Sequence, residues 1–326
     1  MNASAQRRVL AISDGVAGNE NQAVALAHAL GVAPEVVRLS PRAPWRWFAP
    51  HRLPGAAHAL GNGFMQWLDR GMEEGSALAI GCGRQAALAT RLLRESGKGA
   101  WQAVQILDPR IAPSHYDLVI APRHDGLMGD NVITTLGGLN RIDDAWLEQA
   151  RAAFPALGDL PPPRHALLLG GPTRALDLDR DYWHALARLL RQQLERDGGS
   201  LMVSSSRRTP DWLREAVRHA FSGLPVVQWH GPEDGDNPYA GLLGWADLLV
   251  VTPDSVNMLS EAAATRVPVW TFTPSAVRGK VGRFVDELQN TGRIGLLGGN
   301  PASHAITPLR ETLRVAVEIR TRLGWS

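Results

Sequence analysis

Cysteine is almost absent from this sequence, which has Cys82 alone in 326 residues. A single cysteine excludes an internal disulfide and leaves too few thiolates for a cysteine-based metal site. No run of about 18 apolar residues occurs, so no membrane-spanning helix is predicted. The first residues, Met1–Arg8, are polar and lack the apolar core of a signal peptide. These absences favour a cytoplasmic protein.

Lysine is also scarce, because Lys98 and Lys280 are the only two and the other 32 of 34 basic side chains are arginine. Arginine forms bidentate contacts with phosphate and carboxylate groups. A genome that favours arginine codons explains the same bias, so both interpretations stay open. The net charge is only +2 and no dense basic block occurs. Nucleic acid is therefore not predicted as a partner.

Several chemistry-bearing motifs are missing. There is no HExxH zinc motif, no glycine-rich loop ending in GK[ST], and no GxGxxG dinucleotide fingerprint. Tyr116, Tyr182 and Tyr239 are the only tyrosines, and none has a lysine four residues later. These absences argue against P-loop nucleotidases and dinucleotide-dependent epimerases, and the sequence predicts no metal site.

Short apolar runs alternate with helical patterns in both halves of the chain, which predicts parallel sheets covered by helices. The predicted strands span 8–12, 35–39, 77–80, 103–107, 118–121, 166–169, 201–203, 226–228, 248–251 and 269–272. The predicted helices span 21–30, 85–94, 181–196, 210–221, a segment through 261–265, and 308–323.

A proline-rich segment, Pro155–Arg164, predicts a stiff linker between two domains. We therefore predict an N-terminal Rossmann-like domain over 1–155, a second over 165–306, and a C-terminal helix over 307–326. Two such domains would face a central cleft. Ligands of open α/β sheets bind beyond the carboxyl ends of the strands, so the loops after the strands are the candidate site.

The segment 246–268 is the most informative, because an apolar strand ends in a polar turn that opens a helix. Asp254 or Ser255 would cap that helix, and its N-terminus favours a phosphate group. Met258 and Glu261 fall near the same helical face as Asp254, where a carboxylate can accept both ribose hydroxyls. A capped helix with an exposed glutamate is the alternative.

Other loops of the second half carry groups suited to a diphosphate. Gly171 follows a predicted strand and permits close backbone approach to a ligand. Ser206 and Arg207 follow the next strand and offer a hydroxyl and a guanidinium. Asn237 faces the base or the sugar, or caps the turn before Pro238. Ordinary solvated surface loops explain these residues as well.

In the first half, the loop Ser13–Gln22 carries Asp14, whose carboxylate is a candidate base. Gly15 and Gly18 would permit positive φ angles, and Asn19 lies in the same loop. A tight turn with an Asx cap is the alternative interpretation.

His124, beside Asp125, is a second candidate base because imidazole titrates near neutral pH. Neighbouring positions in a loop do not ensure that the two side chains meet. Cys82 follows a buried strand and is interpreted as a packed side chain rather than a nucleophile.

Aromatic and basic side chains are mixed between Pro44 and Arg52. Such a mixture can enter a membrane interface near anionic head groups, which would place the protein at the periphery of the inner membrane and suggest a lipid-linked acceptor. Packing of the same loop on its own domain is the alternative.

A family resemblance follows from several segments in order. They are SDGVAGNENQ (13–22), GCGRQ (81–85), QILDPR (105–110), PRHDGLMGDNVITTLGGLNR (122–141), SSRRTP (205–210), NPY (237–239) and VTPDSVNMLSEAAATRVPV (251–269). Together they resemble the "elongated mitochondria" family of plant mitochondrial-fission proteins and their bacterial relatives. The segment around Glu261 is similar to the donor-binding motif of GT-B glycosyltransferases. Asn19 and Arg266 depart from the family pattern, which usually has histidine and glycine there.

The resemblance implies a GT-B-like fold, in which the last helix often crosses back to the first domain. It implies a nucleotide-sugar substrate rather than a cofactor, and transfer to a glycan or lipid-linked acceptor. It also implies that Asp14 is the base for the acceptor hydroxyl, since the loop after the first strand faces the acceptor in GT-B enzymes. Metal-independent transfer is expected, because a helix dipole and arginine can replace a cation. The alternative is a non-catalytic partner-binding protein that retains the GT-B cleft. The fission role itself is not carried over, because the composition suggests a bacterial chain.

Overall fold

The structure is a computed structural model that describes residues 8–70, 77–96, 99–299 and 306–325. The N-terminal stretch 1–7 and Lys98, both discussed above, lie outside these ranges. The chain divides into two compact units. The first unit comprises Met1–Arg141 and Arg310–Ser326, and the second comprises Ile142–Leu309.

Two six-stranded parallel sheets form the centres of the two units. The first contains β1 (Val9–Ser13), β2 (Glu35–Arg38), β3 (Ala77–Cys82), β4 (Trp101–Ile106), β5 (Leu118–Pro122) and β6 (Val132–Thr135). The second contains β7 (Arg164–Leu169), β8 (Ser200–Ser205), β9 (Val226–Trp229), β10 (Leu248–Val251), β11 (Val269–Thr271) and β12 (Gly295–Leu296).

Helices follow most strands in the described part of the chain. They are α1 (Ala17–Ala29), α2 (Trp45–Phe48), α3 (Ala56–Ala59), α4 (Asn62–Arg70), α5 (Arg84–Ser96), α6 (Asp144–Ala153), α7 (Arg180–Asp197), α8 (Asp211–Ala220), α9 (Tyr239–Trp245), α10 (Val256–Ala263), α11 (Gly279–Asn290) and α12 (Glu311–Leu323). The central strands β1, β3, β5 and β10 are buried along their whole length. Continuous apolar runs of this kind are expected of parallel strands covered on both faces.

The strand order places a topological switch point in each sheet. The first sheet has the order β2-β1-β3-β4-β5-β6, so the order in which successive strands are added reverses between β1 and β3. The second has the order β12-β11-β10-β7-β8-β9, which is the 3-2-1-4-5-6 order of dinucleotide-binding sheets, and it reverses between β7 and β10. Ligands of such sheets bind at the carboxyl ends of the strands on either side of the reversal.

Apolar side chains on both faces of the sheets form the cores. In the first unit, Leu26 of α1 and Ile319 of α12 pack with Ile80 and Ile120 on one face, while Leu88 of α5 packs on the other. In the second unit the strand residues pack against α7 and α8. Helix α12 therefore belongs to the core of the first unit, although it follows the second unit in sequence.

The prediction of two halves, each built on a parallel sheet covered by helices, is confirmed. Helix α1 begins one turn earlier than predicted. The elements that were not identified from the sequence are β6, β12, α2, α3, α4, α6, α9 and α11.

The chain passes between units at Arg141–Ile142, before the proline-rich segment that the sequence suggested as the linker. That segment lies within the second unit, where Pro161 accepts a hydrogen bond from the Ser200 hydroxyl at 2.8 Å. Helix α6 also lies in the second unit, because it packs against α9. Across the described residues, no helix is both long enough and apolar enough to cross a bilayer.

We expect Ile319→Ala to destabilise the first unit by about 2–5 kcal/mol, because a fully buried side chain of α12 leaves a cavity. Val317→Ala on the same helix is the control, since Val317 is 58% exposed and should change stability by no more than about 0.5 kcal/mol. Urea unfolding of the full chain measures both. Equal effects of the two substitutions would contradict the docking of α12.

Candidate functional site

A buried carboxylate organises the switch point of the second sheet. The Asp254 side chain is fully buried in the loop after β10. It accepts hydrogen bonds from the Thr252 hydroxyl at 2.7 Å, the Gly171 N–H at 3.3 Å and the Arg208 guanidinium at 2.7 Å. These donors lie in the loops after β10, β7 and β8. Asp254 therefore holds three loops together at the carboxyl edge of the sheet.

The two glycines after β7 are required by this packing. A Cβ on Gly170 would lie 2.0 Å from an Asp254 carboxylate oxygen, and a Cβ on Gly171 would lie 2.2 Å from the Arg208 carbonyl oxygen. Neither contact is possible for a larger residue without moving backbone or breaking the carboxylate network. Gly171 thus permits close approach, as predicted, but the group that approaches is the protein's own loop.

Ser255, and not Asp254, caps helix α10. The Ser255 hydroxyl accepts the N–H of Met258 at 3.4 Å, while Asp254 lies outside the helix with its carboxylate turned into the protein. The helix dipole favours an anion at this N-terminus.

Glu261 lies six residues after the cap, about 9 Å further along the helix. Its carboxylate accepts the phenolic O–H of Tyr239, the first residue of α9, at 2.5 Å. Burial raises the pKa of Glu261 above the usual carboxyl value, although the Tyr239 hydrogen bond acts in the opposite direction. Burial also raises the pKa of Tyr239, so the phenol is protonated at neutral pH. The second carboxylate oxygen of Glu261 can accept hydrogen bonds from a ligand.

The two arginines in the loop after β8 have different environments. Arg208 neutralises Asp254, whereas Arg207 is exposed and has no ion-pair partner within the described ranges. The Ser206 hydroxyl lies 3.2 Å from the Thr209 hydroxyl and accepts the Arg208 N–H at 3.2 Å. Of the residues predicted here, Arg207 offers an unused charge, and Ser206 shapes the turn.

Asn237 makes a turn contact that was one of its two predicted roles. Its side-chain oxygen accepts the N–H of Tyr239 at 3.0 Å, which fixes the start of α9. This contact orients Tyr239 towards Glu261.

Next to the loop after β8 lies a row of hydrogen-bonded polar side chains that was not predicted from the sequence. His230 is buried and contacts the Ser205 hydroxyl through Nδ1 at 2.7 Å and the Gln228 side-chain oxygen through Nε2 at 2.9 Å. Burial and nearby arginines lower the pKa of His230, which favours a neutral ring that donates from Nε2 and accepts at Nδ1. Its position two residues after the predicted strand 226–228 was the available signal.

At the switch point of the first sheet, the loops after β1 and β3 meet around Asn19. Asn19 donates to the Asp14 carboxylate at 3.0 Å, and Asp14 also accepts the Val16 N–H at 3.2 Å. A Cβ on Gly83, which has φ +89°, would lie 2.6 Å from the Asn19 side-chain nitrogen. Asp14 is partly exposed, so its carboxylate is accessible at this edge.

The two glycines of the first loop differ. Gly15 has φ +78°, the left-handed conformation that the sequence predicted. Gly18 lies inside α1, where its carbonyl accepts a hydrogen bond from Gln22, and its φ is not positive. The prediction for Gly18 was wrong because α1 begins at Ala17, before the expected start.

The two candidate bases are not brought together. His124 is nearly buried after β5, with Nε2 3.9 Å from an Asp125 oxygen. In the sheet, β3 and β4 separate β5 from β1, which places the carboxyl ends about 14 Å apart. Asp14 and His124 therefore cannot act on one proton.

Cys82 is buried at the end of β3, with its sulfur 3.8 Å from the Asn19 side-chain oxygen. Burial, with the nearby Asp14 charge, raises the pKa of the Cys82 thiol, which is consistent with a packed side chain. In the part of the chain that the structure describes, no three His, Cys, Asp or Glu side chains are grouped to hold a metal ion.

Solved structures show how the fold is classified. A UDP-GlcNAc 2-epimerase from Methanocaldococcus jannaschii matches with a TM-score of 0.55 at 16% identity, over 95% of this chain and 92% of that one. A glycosyltransferase from Rickettsia africae matches with a TM-score of 0.51 at 11% identity, over 98% and 100%. At these identities the likeness concerns the fold, which is GT-B-like.

Sequence comparison shows the family. The Mitochondrial fission protein ELM1 of Arabidopsis thaliana is 29% identical over 286 residues, 78% of this chain and 66% of that protein. The match therefore spans slightly less than two thirds of the relative's length. The family model described as Mitochondrial fission ELM1 matches residues 17–323. The chain, with its paired switch-point sheets, belongs to the mitochondrial fission ELM1 family.

Proposed function

We propose that this protein binds a nucleoside diphosphate sugar on its second unit and transfers the sugar, without a metal, to a glycan or lipid-linked acceptor. One observation carries the proposal. The second sheet reverses between β7 and β10, and the capped N-terminus of α10 lies at that reversal with Glu261 about 9 Å along the helix. This distance is on the scale of the step from a nucleotide's diphosphate to its ribose.

The charges around α10 suit the two ends of such a ligand. The positive end of the α10 dipole and the exposed Arg207 guanidinium would bind the diphosphate and stabilise it as a leaving group. Glu261, oriented by Tyr239, would accept the ribose hydroxyls. The charge of the buried Asp254 is balanced by the Arg208 guanidinium, and two uncharged donors complete its hydrogen bonds. Asp254 therefore leaves no uncompensated negative charge beside the phosphates.

On the first unit, Asp14 is the proposed base for the acceptor hydroxyl. Asn19 and the Val16 N–H hold its first carboxylate oxygen, which fixes the direction of the second. His124 is the weaker candidate because it is nearly buried.

A non-catalytic, partner-binding function is the second candidate. The observation that favours it is the separation of Asp14 from His124 by about three strand spacings, so His124 cannot assist Asp14 as a second acid or base. The fold also serves a UDP-GlcNAc 2-epimerase, and the missing dinucleotide fingerprint argues only against dinucleotide-dependent epimerases.

A thermal-shift screen against UDP, GDP, CMP, ADP and dTDP, with NAD as a control, tests the nucleotide site. Occupancy at a hundredfold excess over Kd should stabilise the protein by about 2.7 kcal/mol. Glu261→Ala should weaken binding about 10–100-fold, because it removes hydrogen bonds to a charged group. The matched control is Glu215→Ala, an exposed glutamate of the same unit. No shift with any nucleotide, or an unchanged Kd for Glu261→Ala, would overturn the ribose role.

The raised pKa of Glu261 predicts a pH effect on stability. The folded state holds the Glu261 proton to higher pH than the unfolded state, whose pKa is near 4.5. The contribution of Glu261 to stability is therefore largest below pH 4.5 and declines as pH rises through the folded-state pKa. Glu261→Gln should remove this decline. Chemical denaturation of both proteins across acidic to neutral pH measures the difference, and parallel curves would contradict the burial effect.

The protonation state of Glu261 should also control nucleotide affinity, since only the ionised carboxylate accepts both ribose hydroxyls. Nucleotide affinity should therefore rise with pH through the Glu261 pKa, and Glu261→Gln should abolish that dependence. Titration calorimetry with the nucleotide identified above measures it.

Asp14→Asn separates catalysis from binding. If Asp14 is the base, hydrolysis or transfer of the bound sugar should fall about 10²–10⁴-fold, while nucleotide affinity is unchanged. Product formation from the nucleotide sugar is measured by chromatography. Nucleotide binding without any turnover in the unmodified protein would support the partner-binding candidate.

A further inference from the structure

Two adjacent aromatic side chains are exposed on the first unit. Trp47 is 62% exposed and Phe48 is 50% exposed. Every other tryptophan and phenylalanine in the chain is buried or partly buried. Single exposed apolar residues are ordinary, but two neighbouring aromatics among otherwise covered ones require an explanation.

The turn that carries them is held in place. The Trp45 indole donates to the Pro54 carbonyl at 3.0 Å, and Trp45 packs against the core beside α5. Ala49 is buried directly after the turn. Because both ends are fixed, α2 directs Trp47 and Phe48 outward, and their exposure does not come from a frayed segment.

The surroundings of the aromatics are positively charged. No aspartate or glutamate occurs from Val36 to Leu68. Arg42 and Arg46 are exposed and have no ion-pair partner in the described ranges. The Arg84 guanidinium joins them, since it donates to the Arg46 carbonyl at 3.4 Å. Arg52 is excluded from the set because it pairs with Glu95.

We propose that Arg42, Arg46, Trp47, Phe48 and Arg84 form a docking surface for a bilayer that carries anionic phospholipids. Indole and phenyl rings partition into the interface between head groups and acyl chains, and arginines bind the phosphates around them. The surface area that one helical turn offers is far smaller than the roughly 800 Å² that each partner buries in a stable protein interface. A fluid lipid surface needs no larger complementary face. This inference does not depend on the nucleotide proposal.

Vesicle co-sedimentation of the purified full chain tests the surface. We expect binding to vesicles of equal parts phosphatidylcholine and phosphatidylglycerol, little binding to phosphatidylcholine alone, and weaker binding at high salt. The double variant Trp47→Ser/Phe48→Ser should lose at least about tenfold in partitioning. Arg42→Gln/Arg46→Gln should lose about fivefold per arginine.

The matched control is Leu313→Ser/Val317→Ser, which removes two exposed apolar side chains of α12 in the same unit. Its partitioning should equal that of the unmodified protein. Failure of the unmodified protein to bind anionic vesicles, or unchanged binding by the aromatic variant, would overturn the proposal. So would a concentration-dependent dimer that the aromatic substitutions dissociate, because the surface would then bind a second copy of the chain.

Discussion

The second unit depends on placing a carboxylate where water cannot reach it. An isolated buried charge would be strongly unfavourable, so Asp254 is stable only with the donors that surround it. Those donors come from the loops after three strands, and the loops approach so closely that Gly170 and Gly171 have no room for a Cβ. The position of Arg208, the shape of the loop after β8 and the exit of the chain into α10 all follow from this network.

This arrangement assigns different tasks to residues that look alike in sequence. Arg208 is used for internal neutralisation, which leaves its neighbour Arg207 for external contacts. Asp254 stabilises the loops, while Glu261 accepts the Tyr239 hydroxyl at one oxygen, and the proposed ribose contact would use the other. The loops of the first sheet are also closely packed, because Asn19 lies between the loops after β1 and β3 and donates a hydrogen bond to Asp14.

Secondary structure was largely predictable where the pattern was strong. Continuous apolar runs located the buried central strands, and the β-α alternation gave parallel sheets. Elements with a weaker pattern were not predicted, because β6 and β12 lie at sheet edges and α2 and α3 are single turns. Gly18 shows that a residue's conformational preference does not determine its conformation. Glycine permits a left-handed turn, but Gly18 lies within helix α1.

By itself the sequence determined the fold class, the polar loops at the strand ends and the family resemblance, because these depend on local apolar periodicity and on ordered motifs. Only the tertiary structure decided which loops meet, since strand order is a long-range property that local patterns do not encode. It paired Asp254 with Arg208 rather than Arg207, gave the helix cap to Ser255, and joined Tyr239 to Glu261. It also separated Asp14 from His124, because two strands lie between them.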